Sequence, residues 1–178
     1  MGELIGEEEE FDRLRELTAS HMVDLVYTYK AFFKMARWSH LISKVLDALV
    51  IIVSLGLLGS LVQGALPDTW NVYLAAFVAL GSVIDRGFNF NKKGHQFEQA
   101  ADSYNSLYKE IREFHHLTLL DKSMPTSQKK ERLQQLTERH RELNELTPST
   151  WDIAYRFLDE EDVLGNVEIT EEEHDRIL

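Results

Sequence analysis

Two long apolar stretches on either side of a proline-containing turn constrain this chain more than any other feature. The stretches cover residues 45–66 and 70–84, and the turn reads Leu66-Pro67-Asp68-Thr69. Residues 48–62 and 72–84 contain no charged side chain. A helix needs about 20 apolar residues to cross a bilayer core. The first stretch reaches this length, and the second approaches it when the aromatic extension towards Phe88 is included. The pair predicts a helical hairpin that crosses a membrane and returns.

The alternative is that both stretches are buried core helices of a soluble bundle. The shortness of the second stretch and the charges of Asp85 and Arg86 at its end favour this alternative. Against it, neither stretch has a polar face at the helical period, which a helix at the surface of a soluble domain needs. Trp38, Trp70 and Tyr73 also flank the stretches, where aromatic side chains settle at the lipid headgroups. The membrane interpretation is therefore preferred.

The charges around the apolar stretches predict an orientation. Basic residues precede and follow the pair, whereas the connecting turn carries a single acid, Asp68. Because basic residues concentrate on the cytoplasmic side of membrane proteins, we expect a multi-pass protein of the cell membrane with both termini in the cytoplasm. The basic residues concerned are Lys30, Lys34, Arg37, Lys44, Arg86, Lys92 and Lys93.

Composition narrows the possible functions. The net charge of −11 argues against nucleic-acid binding, and the absence of cysteine excludes disulfides and thiolate metal sites. No catalytic motif or glycine-rich phosphate loop occurs, and the seven histidines lack the i, i+4 partners of zinc hydrolases. We therefore expect no catalytic residues, no cofactor and no metal site.

Helical periodicity organises the remainder into an all-α protein, a transmembrane hairpin with a cytoplasmic helical bundle. Residues 1–44 predict an N-terminal helix that continues into the hairpin of residues 45–90, whose spans cover about 45–66 and 70–88. Residues 91–164 predict a cytoplasmic helical region, and residues 165–178 an acidic tail. An apolar seam with alternating spacings of three and four residues indicates one packed face in that region. It consists of Phe97, Ala100, Tyr104, Leu107, Ile111 and Phe114, and Leu133, Leu136, His140 and Leu143 repeat the pattern after Pro125.

Polar and small residues of the hairpin are the candidate functional positions. Asp47, Asp85 and Arg86 border the apolar stretches, where ionisable groups are costly and mark a pathway or an interface. Asp47 and Arg86 could form an ion pair that locks the hairpin, or Asp47 or Asp85 could form a ring at the inner mouth of an oligomeric pore. Gly56, Ser60 and Gly64 form a small-residue stripe that allows helices to approach closely, either within the hairpin or between copies.

The order of these features resembles the SLATT family of two-span membrane proteins. The resemblance covers about residues 27–157 and rests on Phe88-Asn89-Phe90, on the segment 96–104, and on residues 143–148 before Ala154-Tyr155. It implies a prokaryotic membrane effector of antiviral conflict systems that forms pores, with a nucleotide-generating or nucleotide-sensing protein as partner. Oligomerisation is expected as well, because two spans cannot enclose a water-filled path. The alternative is a non-conducting membrane scaffold whose cytoplasmic helices recruit a partner.

Overall fold

The computed structural model describes residues 2–64, 66–121 and 123–148, with side chains from residue 9 onwards. All regular secondary structure in these residues is helical, so the expectation of an all-α protein is confirmed there. The last part of the predicted helical region, residues 149–164, and the acidic tail of residues 165–178 lie outside the described residues. The helices are α1 (Gly2–Gln63), α2 (Asp68–Phe88), α3 (Phe90–Glu113), the π-helical turn Phe114–Thr118 and α4 (Thr126–Leu146).

Helix α1 runs for 62 residues without a break, so the N-terminal helix continues into the first apolar stretch as expected. No proline interrupts it before Pro67, and the glycines within it are isolated. The helix ends at Gly64, which has a φ of +65° and donates its amide hydrogen to the carbonyl of Ser60 at 2.8 Å. This left-handed conformation favours glycine, so Gly64 terminates the helix.

The chain forms two compact units. Of the described residues, the first unit contains those up to residue 34 and those from residue 97 to residue 148, and the second contains those between residues 35 and 96. In the first unit, the N-terminal half of α1 packs with α3 and α4. The rings of Phe32 and Tyr104 stack with centroids 5.5 Å apart, and Tyr29 contacts Tyr108 at 5.9 Å. These aromatic contacts join α1 to α3 at the centre of the core.

The apolar seam of α3 is buried as the sequence predicts. Its six members expose 5% of their surface or less, and Leu133, Leu136 and His140 of α4 are also buried, while Leu143 is half-buried. On α1, the apolar Leu17 exposes 48% of its surface, while Thr18 beside it is fully buried. The Thr18 hydroxyl donates a hydrogen bond to the Leu14 carbonyl at 2.7 Å. Because the helix itself satisfies this hydroxyl, threonine can occupy a core position.

A buried lysine closes the end of the π-helical turn. Lys129 exposes 6% of its surface, and its Nζ donates to the Leu119 carbonyl at 2.8 Å. The same ammonium lies 5.6 Å from the centre of the Phe11 ring. A buried charge requires such compensation, which here links α1, α4 and the segment after the turn.

In the second unit, the C-terminal part of α1 contacts α2. The Ser60 hydroxyl donates to Asn71 Oδ1 at 2.8 Å, and a Cβ built on Gly81 would lie 3.0 Å from Val50 Cγ2. Val50 lies ten residues before Ser60 on α1, whereas its partner Gly81 lies ten residues after Asn71 on α2. The two helices therefore run in opposite directions where they meet.

Candidate functional site

The second unit exposes most of its large apolar side chains. No residue of α2 is buried, and Ser60 is the only buried residue between positions 44 and 64 of α1. Ile52, Leu55 and Val62 expose 65%, 64% and 84% of their surfaces. Full burial of one such side chain is worth about 1.5–3 kcal/mol, and soluble monomers rarely expose apolar patches above a few hundred Å². Within the described residues, no other part of the chain covers this surface.

Within the described residues, one helix is long and apolar enough to cross a membrane. It is α1, whose most apolar window has a mean hydropathy of 2.5 and is 6% buried. Helix α2 falls short because its uncharged run, residues 72–84, is brief and because Asp85 and Arg86 follow it directly. This shortness is the same feature that favoured the soluble alternative in the sequence. The structure thus provides one candidate span, and the second span stays a prediction.

The facing surfaces of α1 and α2 are regular. Half-buried or buried positions recur at spacings of three and four residues on both helices, and the Val50–Gly81 and Ser60–Asn71 contacts fix their register. The hydroxyls of Ser54 and Ser82 are satisfied within their own helices, by the Val50 and Val78 carbonyls at 2.6 and 2.9 Å. The recurring positions are Leu46, Val50, Val53, Leu57 and Ser60 on α1, and Asn71, Leu74, Val78, Gly81 and Asp85 on α2.

The three candidate ionisable residues occupy different environments. Asp85 is half-buried on the surface of α2 that faces α1, whereas Asp47 and Arg86 are exposed. Among the ion pairs of the described residues, none joins Asp47 to Arg86. The structure therefore does not bring these two charges together. A ring of carboxylates requires several copies of the chain and stays a prediction.

The predicted small-residue stripe divides into three environments. Ser60 is 5% exposed and hydrogen-bonded to Asn71 of α2, so it serves the packing of the two helices. Gly64 terminates α1. A Cβ built on Gly56 would meet nothing within 4 Å, and the same holds for Gly59. These two glycines leave a shallow open strip on the exposed surface of α1.

Gly81, which the sequence did not single out, and Asn89 of the Phe88-Asn89-Phe90 segment shape this unit. Gly81 allows the close contact with Val50. The sequence does not reveal this role, because nothing in the uncharged run distinguishes Gly81 from the other small residues. Asn89 separates α2 from α3 with φ 48° and ψ 52°, a left-handed conformation. Its amide donates to the Asp85 carbonyl at 2.8 Å. Asparagine is the non-glycine residue that tolerates this conformation best, which gives Phe88-Asn89-Phe90 a structural meaning.

Histidine pairs form in both units. In the second unit, the rings of His40 and His95 lie 4.8 Å apart, and a Cβ on Gly94 would lie 2.8 Å from the His40 ring. The ring nitrogens of these two residues lie near each other and could bind a metal ion. The sequence does not show this pairing, because the two residues are far apart along the chain. The expectation of no metal site stays a prediction.

In the first unit, the rings of His21 and His140 lie 5.9 Å apart in an edge-on arrangement. His140 Nε2 is 3.8 Å from Asp24 Oδ2. Burial lowers the pKa of His140, and the Asp24 carboxylate opposes this shift. Burial also lowers the pKa of His21, with a further contribution from His140. Burial therefore favours the neutral form of both imidazoles in the folded bundle.

Comparisons with known proteins identify no family and no relative for this chain. No family model, no curated protein and no solved structure matches the chain.

Proposed function

We propose that this is an integral membrane protein, in which the C-terminal part of α1 and the whole of α2 cross the bilayer as a hairpin. The exposed apolar surface of residues 45–88 is the observation that carries this proposal. At 1.5 Å per residue, the 21 residues of α2 are about 32 Å long, so the whole helix, including the charged residues near its two ends, reaches across a hydrocarbon core of about 30 Å. Lipid chains supply the apolar cover that the described residues do not provide.

Aromatic and basic residues support the proposed orientation, with both termini in the cytoplasm. Trp70 and Tyr73 lie beside each other at the start of α2, with ring centroids 6.2 Å apart, and expose 59% and 64% of their surfaces. Exposed aromatic residues of this kind are typical of the headgroup region. The basic residues lie at the opposite ends of the two apolar segments, near Lys44 of α1 and Arg86 of α2.

Vesicle flotation tests membrane insertion. The protein should float with reconstituted vesicles on a density gradient and remain with them after extraction with alkaline carbonate, which strips peripheral proteins. A protein that stays monodisperse without detergent and sediments separately from vesicles would contradict the proposal. It would then belong to the soluble class, with the apolar surface buried between copies.

We propose further that the protein is an effector that oligomerises and forms a pore, or otherwise disrupts the membrane, when a nucleotide-based or other antiviral sensing system triggers it. The SLATT resemblance is the basis for this activity and for a nucleotide-generating or nucleotide-sensing partner. The open strip at Gly56 and Gly59 supports oligomerisation, because glycine lets a second helix approach closely. Two spans enclose no aqueous path, so conduction requires several copies.

Conductance in planar bilayers tests the pore. The protein with its trigger should produce discrete currents that favour cations if Asp47 or Asp85 surrounds the inner mouth, since carboxylate rings attract cations. The exchange Asp85→Asn should then shift the reversal potential towards that of an unselective pore while insertion by flotation stays unchanged. Unaltered selectivity in this variant would remove Asp85 from the mouth.

A non-conducting scaffold is the second candidate function, and the serine hydroxyls favour it. Ser54 and Ser82 each bond to a carbonyl of their own helix, and Ser60 bonds to Asn71. The apolar segments therefore offer few unsatisfied polar groups to line a water-filled path. A triggered, inserted and oligomeric protein without any current would establish the scaffold in place of the pore.

A further inference from the structure

The polar end of the second unit carries unpaired positive charge in a strongly acidic protein. Residues 35–96 contain five basic residues against three acids, a formal charge of +2, while the whole chain has −11. One of the three acids, Asp68, is the first residue of α2 and lies far from the basic residues. The excess of positive charge is therefore concentrated at the other end of the unit, where α1 enters it and α3 begins. The five basic residues are Arg37, Lys44, Arg86, Lys92 and Lys93.

These cations differ from those of the first unit in their partners. Lys130 pairs with Glu10, and Arg139 pairs with Glu110 at 2.6 Å. In the part of the chain that the structure describes, no ion pair involves any of the five basic residues of the second unit. Four of the five are exposed, and Lys93 is half-buried. Their charges are therefore available to an external anion.

Aromatic rings lie beside these charges, at the same end of the second unit. Phe88 and Phe90 stack across Asn89 with centroids 5.5 Å apart, and the Lys93 ammonium lies 5.6 Å from the centre of the Phe88 ring. Phe88 exposes 54% of its surface and adjoins the apolar side chains of α2. An ammonium beside an aromatic ring at the edge of an apolar surface is typical of the layer of lipid phosphates.

We infer that this basic end of the second unit binds the headgroups of anionic phospholipids. The inference rests on the proposed membrane insertion and adds the chemistry of the lipid that the protein selects. The apolar surface and the cations occupy adjoining regions, so one lipid can satisfy both, with its acyl chains against α2 and its phosphate beside Lys92 and Lys93. A soluble phosphate would satisfy the charges alone. Asp47 and Asp85 lie on the apolar side of the cations and leave an excess of positive charge at the headgroup layer.

Lipid co-purification tests the inference. The full-length protein is reconstituted into vesicles of nine parts phosphatidylcholine and one part phosphatidylglycerol, floated, and re-extracted into a mild non-ionic detergent. Mass spectrometry of the retained lipids should show phosphatidylglycerol enriched over its share in the vesicles. Each lysine near an anionic surface contributes roughly a fivefold preference, so the double variant Lys92→Gln/Lys93→Gln should lose most of the enrichment. The control Arg132→Gln/Arg141→Gln removes the same charge from exposed positions of the first unit and should retain it.

The possible outcomes distinguish a failure of anionic-lipid binding from a failure of membrane insertion. Absence of protein from the floated vesicles would overturn membrane insertion and this inference together. Flotation without enrichment, or equal enrichment in the Lys92/Lys93 variant, would overturn the inference alone. Complete displacement of phosphatidylglycerol by excess glycerol 3-phosphate would assign the site to soluble phosphates and would also overturn it.

Discussion

At the scale of single residues, a few backbone and side-chain choices decide the local structure of both units. Asn89 separates two helices by adopting a left-handed conformation, and Gly64 terminates α1 in the same way. Lys129 is buried but doubly compensated, by the Leu119 carbonyl and the Phe11 ring. Asn89 and Gly64 are residue types that adopt the left-handed conformation with little strain. The two partners of Lys129 offset the free-energy cost of burying its charge.

The conformation of Asn89 predicts a graded response to substitution. Asn89→Gly should fold as well as the unmodified protein, because glycine reaches positive φ without strain. Asn89→Val should lose about 1–2 kcal/mol of folding free energy, since a β-branched residue is disfavoured there. Unfolding midpoints in the same detergent measure both. Equal midpoints for the glycine and valine variants would show that the junction can adopt another conformation.

His140 predicts a stability that falls with acid. Its pKa is lower in the folded protein than the ordinary value of 6.5, so the unfolded chain binds more protons. Stability from this group is therefore complete above pH 6.5 and is lost as the pH falls below that value. The facing groups are His21 and Asp24 from α1 and Tyr104 from α3.

Thermal unfolding of the full chain between pH 5 and 7.5 measures this effect. His140→Gln should flatten the dependence of the midpoint on pH, because the variant carries no imidazole that must stay neutral. His116 is exposed, so His116→Gln serves as a control and should leave the dependence unchanged. The same pH slope in both variants would assign the acid sensitivity to groups other than His140, either His21 or carboxylates.

At the scale of helices, packing depends on small residues and on register. The contacts of Val50 with Gly81 and of Ser60 with Asn71 place α1 and α2 in one register. In the first unit, Phe32 of α1 stacks on Tyr104 of α3, whose hydroxyl donates to Asn144 Oδ1 of α4 at 2.6 Å. One aromatic residue thus connects three helices.

The contact at Gly81 predicts that this glycine, rather than Gly56, holds α1 close to α2. Gly81→Leu should lose about 1–3 kcal/mol by overpacking against Val50. Gly56→Leu should leave the monomer equally stable, because open space surrounds that position. Unfolding in detergent compares the two, and Val50→Ala should partly restore Gly81→Leu. A loss of oligomers in Gly56→Leu, with unchanged monomer stability, would assign the open strip to contacts between copies.

At the scale of the whole molecule, the chain contains one unit with a buried core and one with an exposed apolar surface. The first unit buries residues such as Met22, Leu25 and Leu107 completely, as a water-exposed bundle must. The second leaves Ile52 and Val83 about two-thirds exposed. This contrast within one chain is the basis of the proposal that the second unit lies in lipid.

The proposed topology predicts a labelling pattern. The chain has no cysteine, so single cysteines at Asp68 and Ser127, both exposed, report on their surroundings without interference. In intact cells an impermeant thiol reagent should label position 68 and spare position 127, and lysis should make both reactive. Labelling of position 127 alone in intact cells would reverse the orientation.

The sequence by itself determined the helical class, the continuity of α1 and most of the core. Periodicity reveals these features because apolar residues at three- and four-residue spacings bury the same face wherever the helix packs. Only the neighbouring helices decide that Thr18 rather than Leu17 is buried, because the two side chains lie about 100° apart around α1. Tertiary structure alone decided that Ser60 and Gly81 pack between α1 and α2, that Gly56 stays open, and that Asp47 and Arg86 do not pair. Such contacts join residues distant in sequence, and the uncharged runs contain no periodic signal that distinguishes one small residue from another.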